Sequence, residues 1–133
     1  MRYRRLGKTG LDVSVVGFGG IPIQRISTEE TGKVVDRCVQ LGINFFDTAR
    51  GYTDSEEKLG KTLAEHRDKV LIATKSMARD REGMAADIKK SLETMAVDYI
   101  ELYQLHNIKD QETFDQVMAA DGALDALKEA KEK

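Results

Sequence analysis

Residues 44–75 read NFFDTARGYTDSEEKLGKTLAEHRDKVLIATK, two short apolar runs, Asn44–Ala49 and Val70–Lys75, flanking a stretch with helical spacing. The runs are rich in aromatic and β-branched residues, while the middle places Leu59 and Leu63 at i, i+4 behind an acidic turn that Asp54 or Ser55 can cap. That is one strand–helix–strand unit. The pattern continues outward, with VVGFG at Val15–Gly19 before it and YIELYQLH at Tyr99–His106 after it. Apolar runs therefore begin at positions 15, 44, 70 and 99, close to the pitch of about 30 residues that a βαβ unit requires.

The segments between the runs carry helix signals. Ser27 and Glu30 form an S-x-x-E capping box, Val34, Val35, Cys38 and Val39 make an apolar stripe, and Gly42 supplies a stop. A third helix is predicted from a cap near Asp80 through Met84, Ile88, Leu92 and Met95. A fourth helical region beyond His106 is predicted to break in two at Gly122. Strict strand–helix alternation predicts an α/β fold with a parallel sheet and right-handed crossovers. Ahead of the first unit, residues 1–14 contain RYRRLGKTGLDVS and read as a hairpin turning at Lys8–Gly10. A doubly wound sheet and a slice of a (β/α)8 barrel both satisfy this pattern.

At 133 residues the chain suits one domain. Hydrophobic residues at 41% and a single Pro exclude a disordered or collagen-like chain. The net charge of −2 and the lack of any basic block leave nucleic acid no electrostatic footprint. No apolar run approaches the roughly 20 residues that span a bilayer. The lone Cys38 closes no disulfide within the chain, and Met1–Gly10 lacks the apolar core of a signal peptide, so the cytoplasm is the expected compartment.

Polar residues interrupt the apolar runs at corresponding places. Asp47 lies near the end of the second run, Lys75 ends the third and His106 ends the fourth. All three are predicted at the carboxyl ends of parallel strands, where ligands and catalytic groups gather in open and closed α/β sheets alike. Tyr52, in the loop five residues after Asp47, reaches the same rim. Taken singly, a post-strand Asp is commonly a turn former, a strand-end Lys commonly points to water, and a loop Tyr commonly covers apolar surface. Together they suit proton donation to a carbonyl. An ammonium beside a phenol favours the phenolate, so Lys75 would activate Tyr52 as general acid, Asp47 would hold Lys75, and His106 would orient the substrate oxygen. A hydride donor is still needed, and that implies a nicotinamide cofactor.

Other candidates are weaker. Gly17–Gly20 resembles half of a dinucleotide fingerprint, but Pro22 occupies the third glycine position and no helix follows at once. Cys38 reads as core and His66 as a helix-end cation, and their spacing with His106 suits no metal. Lys75 alone would also permit a Schiff-base aldolase, and a cofactor-binding regulatory module without turnover is a third possibility.

In RRLGKTGLDVSVVGFGG, NFFDTARGY, SEEKLGKTL, VLIATK and YIELYQLH, in that order and spacing, the chain resembles the aldo-keto reductase family. The resemblance implies a (β/α)8 TIM barrel closed below by an N-terminal hairpin, reduction of small-molecule aldehydes or ketones with NADPH, and a tetrad of Asp47, Tyr52, Lys75 and His106. It also implies that Gly20, Ile21 and Asp47 border the nicotinamide and its ribose. A complete barrel of this type needs about 250 residues, so the chain is expected to form the first four βα units, a truncated half. Its open edges are expected to favour self-association, and its activity alone is expected to be negligible.

Overall fold

A computed structural model describes all residues, 1–133. Strands β1 (Tyr3–Arg5) and β2 (Asp12–Ser14) pair antiparallel as the expected hairpin. They are followed by β3 (Phe18–Gly19), β4 (Phe45–Asp47), β5 (Leu71–Ser76) and β6 (Leu102–Leu105), all parallel in the order β3-β4-β5-β6. Sequential order without reversal is the order of a barrel wall, because a doubly wound sheet reverses at its switch point. β3 and β6 are left as edges.

Helices fill the crossovers: α1 (Thr28–Gln40), α2 (Ser55–Leu63), α3 (Arg81–Met95), then α4 (Gln111–Met118) and α5 (Ala123–Glu132). The capping box forms in full. Ser27 Oγ accepts from the Glu30 amide at 3.1 Å, and a Glu30 carboxylate oxygen accepts from the Ser27 amide at 2.9 Å. Gly42 follows α1 at φ +83°, a left-handed turn that costs a glycine little. Asp80 caps α3 by accepting from the Gly83 amide at 2.8 Å, and Gly122 separates α4 from α5.

Two expectations need correcting. Asp54 precedes α2 but makes no cap hydrogen bond, because its carboxylate turns to the Lys58 ammonium at 2.8 Å. The first strand is shorter than the apolar run suggested: Val15 and Val16 lie in an exposed bend, since β3 has a partner on one side only.

The core lies between sheet and helices. Phe46 and Ile72 point outward to meet Val35, Leu59, Leu63 and Met95, and a second cluster joins Met84, Val117, Ala123 and Ala126 beneath Tyr103 and Leu105. Alternation sends the opposite set, Phe45, Leu71 and Leu102, to the other face, where they stay half-buried. No helix is long and apolar enough to cross a membrane.

Candidate active site

The ladder carries the strand ends into register at one rim. Beyond the formal strands, the Gly20 amide donates to Asp47 O at 2.7 Å, Thr48 to Ala73 O at 2.8 Å, Arg50 to Lys75 O at 3.0 Å and His106 to Ser76 O at 2.8 Å. Asp47, Lys75 and His106 fall on the inner face by alternation, because Lys75 is paired with Gln104 and Asp47 with Ala73.

The side chains converge. Lys75 Nζ donates to Asp47 Oδ2 at 2.6 Å and to Thr48 O at 2.8 Å, with the lysine side chain 15% exposed. The same ammonium stands 5.1 Å from the centroid of the Tyr52 ring, inside the roughly 6 Å range of cation–π attraction. The His106 ring meets Tyr52 edge-on, with centroids 5.8 Å apart at 86°. All four predicted side chains therefore form one chain of contacts, Asp47–Lys75–Tyr52–His106.

His106 Nδ1 is buried with no hydrogen-bond partner, a condition that native structures rarely leave unanswered. Its backbone oxygen accepts from Arg79 Nη2 at 2.8 Å, which ties it to the loop after β5. Burial, followed by the charges of Lys75 and Arg79 and opposed by Asp47, pushes the imidazole below its ordinary 6.5. The ring is thus neutral at pH 7. Unfolded chain takes up this proton near pH 6.5 and folded chain only below it, so the associated stability is fully present above pH 6.5 and falls as pH drops toward the folded value. An NMR titration is expected to place the His106 midpoint below 6.5; a midpoint at or above that value contradicts the assignment.

Gly20 and Ile21 differ in what they offer the rim. Gly20 is enclosed: a Cβ there would lie 2.5 Å from Ser55 Oγ, and its carbonyl already accepts from that hydroxyl at 2.9 Å. Its contribution is close packing against the start of α2. Ile21 is 51% exposed, and the open space beside β3 lies at Gly19, where a Cβ would meet nothing within 4 Å. That open position lies next to Asp47, which is paired with Gly19 in the sheet.

A family model described as the aldo/keto reductase family matches residues 15–133. The chain belongs to that family. Among curated relatives, the Bacillus subtilis oxidoreductase YqkF is 33% identical over 90% of this chain and 44% of its own length. The NADP-dependent D-sorbitol-6-phosphate dehydrogenase of Malus domestica is 30% identical over 74% of this chain and 33% of its own. A crystal structure from Pseudomonas aeruginosa, assigned to the aldo-keto reductases, superposes with TM-score 0.88 at 27% identity, covering 98% of this chain and 55% of that one. The aldo-keto reductase fold is a TIM barrel, and this chain forms four of its strands with the hairpin below. It spans about half, or less, of each of these proteins.

Sequence reasoning missed a buried polar network behind the Tyr52 loop. Glu56, 2% exposed, pairs with Arg50 and accepts from Thr74 Oγ1 and Ser91 Oγ, each at 2.8 Å. Asp87 accepts from Ser76 Oγ and lies 3.8 Å from Arg50 Nε. In the sequence Glu56 resembles an ordinary solvated residue of a helix start, so no local signal marks it. His66, read as a helix-end cation, lies 2.7 Å from the Asp36 carboxylate on α1.

Proposed function

We propose that the barrel to which this chain contributes is an NADP(H)-dependent reductase of aldehydes or ketones, with Tyr52 as proton donor. The observation that carries this is the Lys75 ammonium, clamped by Asp47 and Thr48 and set 5.1 Å from the Tyr52 ring, with His106 edge-on to the same ring. A positive charge held at that place stabilises negative charge developing on the phenol oxygen as its proton leaves. Neutral His106, edge-on to the Tyr52 ring, suits hydrogen bonding to and orientation of a carbonyl oxygen. Asp47 keeps the ammonium from swinging toward water, and Phe45, Leu71 and Leu102 line the inner face below it.

The free space at Gly19, the exposed Ile21 and the carboxylate of Asp47 fit a nicotinamide and its ribose, with Gly20 setting the spacing to α2. Such a cofactor supplies the hydride. Use of NADP by the apple relative supports this choice. The Schiff-base aldolase is disfavoured, because the Asp47 carboxylate and the Thr48 carbonyl both accept from Lys75 Nζ and tie it down, while imine formation needs a free amine. The test is carbonyl-dependent oxidation of NADPH, and its loss in Tyr52→Phe.

Turnover belongs to the closed barrel, and the 133-residue chain by itself is proposed to turn over negligibly. Its unpaired β3 and β6 edges and half-buried inner face favour association of two copies, edge to edge. Light scattering is expected to show a species larger than a monomer at micromolar concentration. A compact monomer there removes the self-association proposal.

A further inference from the structure

We propose that Arg50 and Glu56 are positioning residues, a part-buried ion pair that fixes the Tyr52 loop against the strand bearing Lys75. This rests on the reading of Tyr52 as proton donor.

The two residues flank Tyr52, Arg50 in the loop between β4 and α2 and Glu56 in the first turn of α2. That loop is under strain: Thr53, a β-branched residue, sits at φ +40°, a conformation that costs of order 1–3 kcal/mol and persists only where the surroundings over-determine it. The surroundings here are specific. The Arg50 amide donates to Lys75 O at 3.0 Å, and its guanidinium reaches Glu56. Glu56 also accepts from Thr74, the neighbour of Lys75 on β5, and from Ser91 on α3. The next residue along α2, Glu57, faces solvent and pairs with Lys61, so the inward turn of Glu56 is not a property of the helix start.

The pair therefore holds the backbone just before the phenol and the first turn after it to β5 and α3. Its carboxylate end is dry, with Glu56 2% exposed. Burial, reinforced by Glu56 and Asp87, pushes the neighbouring Tyr103 phenol up to about 12, and Tyr103 Oη lies 3.0 Å from Ser91 Oγ. An ion pair taken out of water is commonly no more stable than an apolar pair of equal volume, so stability alone explains it poorly. Position explains it better, because misplacing a reacting group by about 1 Å costs about 10²-fold in rate.

The experiment uses the complete reductase carrying Glu56→Gln, Arg50→Met and Arg50→Lys. Glutamine retains the volume and an acceptor for Thr74 and Ser91 while removing the charge. Glu56→Gln and Arg50→Met are expected to lower kcat by about 10–100-fold, with the carbonyl KM and the NADPH Kd within about twofold and the limb of the pH–rate profile that reports Tyr52 displaced. Arg50→Lys, which can still pair with Glu56, is expected to recover most of the loss. Folded variants with unchanged kcat and pH profile overturn the proposal, as does an Arg50→Lys no better than Arg50→Met. Where Glu56→Gln melts, Arg50→Met at its part-exposed position decides, together with amide hydrogen exchange at Tyr52 and Ser55 on the 133-residue chain, which is expected to accelerate. Exchange rates equal to those of the parent chain sink the idea. Tyr52→Phe separates the two levels: if it stays active, the proton-donor reading fails, whereas an inactive Tyr52→Phe beside a normal Glu56→Gln removes only the positioning role.

Discussion

Under the proposed reaction, replacing Tyr52 with phenylalanine in the complete barrel is expected to slow carbonyl-dependent NADPH oxidation by about 10²–10⁴-fold, the usual worth of a positioned general acid. The substitution removes one hydroxyl and retains the ring. Edge-on contact with His106 and the position of Lys75 over the ring depend on the aromatic face, so both survive. Lys75 remains clamped by Asp47 Oδ2 and Thr48 O, neither of which involves the phenol oxygen. Binding of NADPH is therefore expected to stay within about twofold, while kcat and kcat/KM fall together, the mark of an interaction made only in the transition state. Fluorescence titration of NADPH beside steady-state rates measures both. Turnover within tenfold of the parent would remove Tyr52 from the proton-donor role.

Gly60→Ala is expected to destabilise the fold by about 2 kcal/mol. On an isolated helix the change would help, by about 1 kcal/mol of propensity. Here a Cβ on Gly60 would lie 2.5 Å from Met95 Cα and 2.7 Å from Met95 C, closer than atoms can approach. These are backbone atoms at the end of α3, just before Ala96 turns left-handed at φ +52°, and no rotamer change moves them aside. The helices must separate, which loosens Leu59, Leu63 and Met95 in the main cluster; overpacking of this kind costs about 1–3 kcal/mol or more. For a domain of this size the midpoint is expected to fall by about 8 °C. Thermal unfolding at one fixed protein concentration, which keeps any association constant, checks it. An unchanged or raised midpoint would mean that α2 and α3 separate freely.

Helix ends were legible because their determinants lie within four residues of one another. Ser27 with Glu30, Gly42 after α1, Asp80 before α3 and Gly122 between α4 and α5 each act through a turn of backbone, and each appears where local reading places it. The Asp54 cap failed for a reason of the same kind at slightly longer range, since Lys58 competes for the carboxylate. Strand ends were less legible. Val15 and Val16 have every residue-level mark of a strand, yet pairing depends on a neighbour that a local reading does not contain.

The same division runs through the site. Alternating strands and helices place Asp47, Lys75 and His106 at strand ends from the amino-acid order alone, because parallel strands all point one way and their polar terminal residues share a rim. The strand–helix pattern alone left a barrel wall and a doubly wound layer open, since both have identical local patterns; the motif resemblance pointed to the barrel, and the hydrogen-bonded order β3-β4-β5-β6 agrees with it. Tertiary structure alone likewise turned Glu56 inward to Arg50, Thr74 and Ser91 and brought Gly60 against Met95. Those contacts join residues 6 to 35 positions apart, and a carboxylate or a glycine has the same local preferences in either setting. Local chemistry determined the elements and the residues at their ends; long-range packing decided which of them meet.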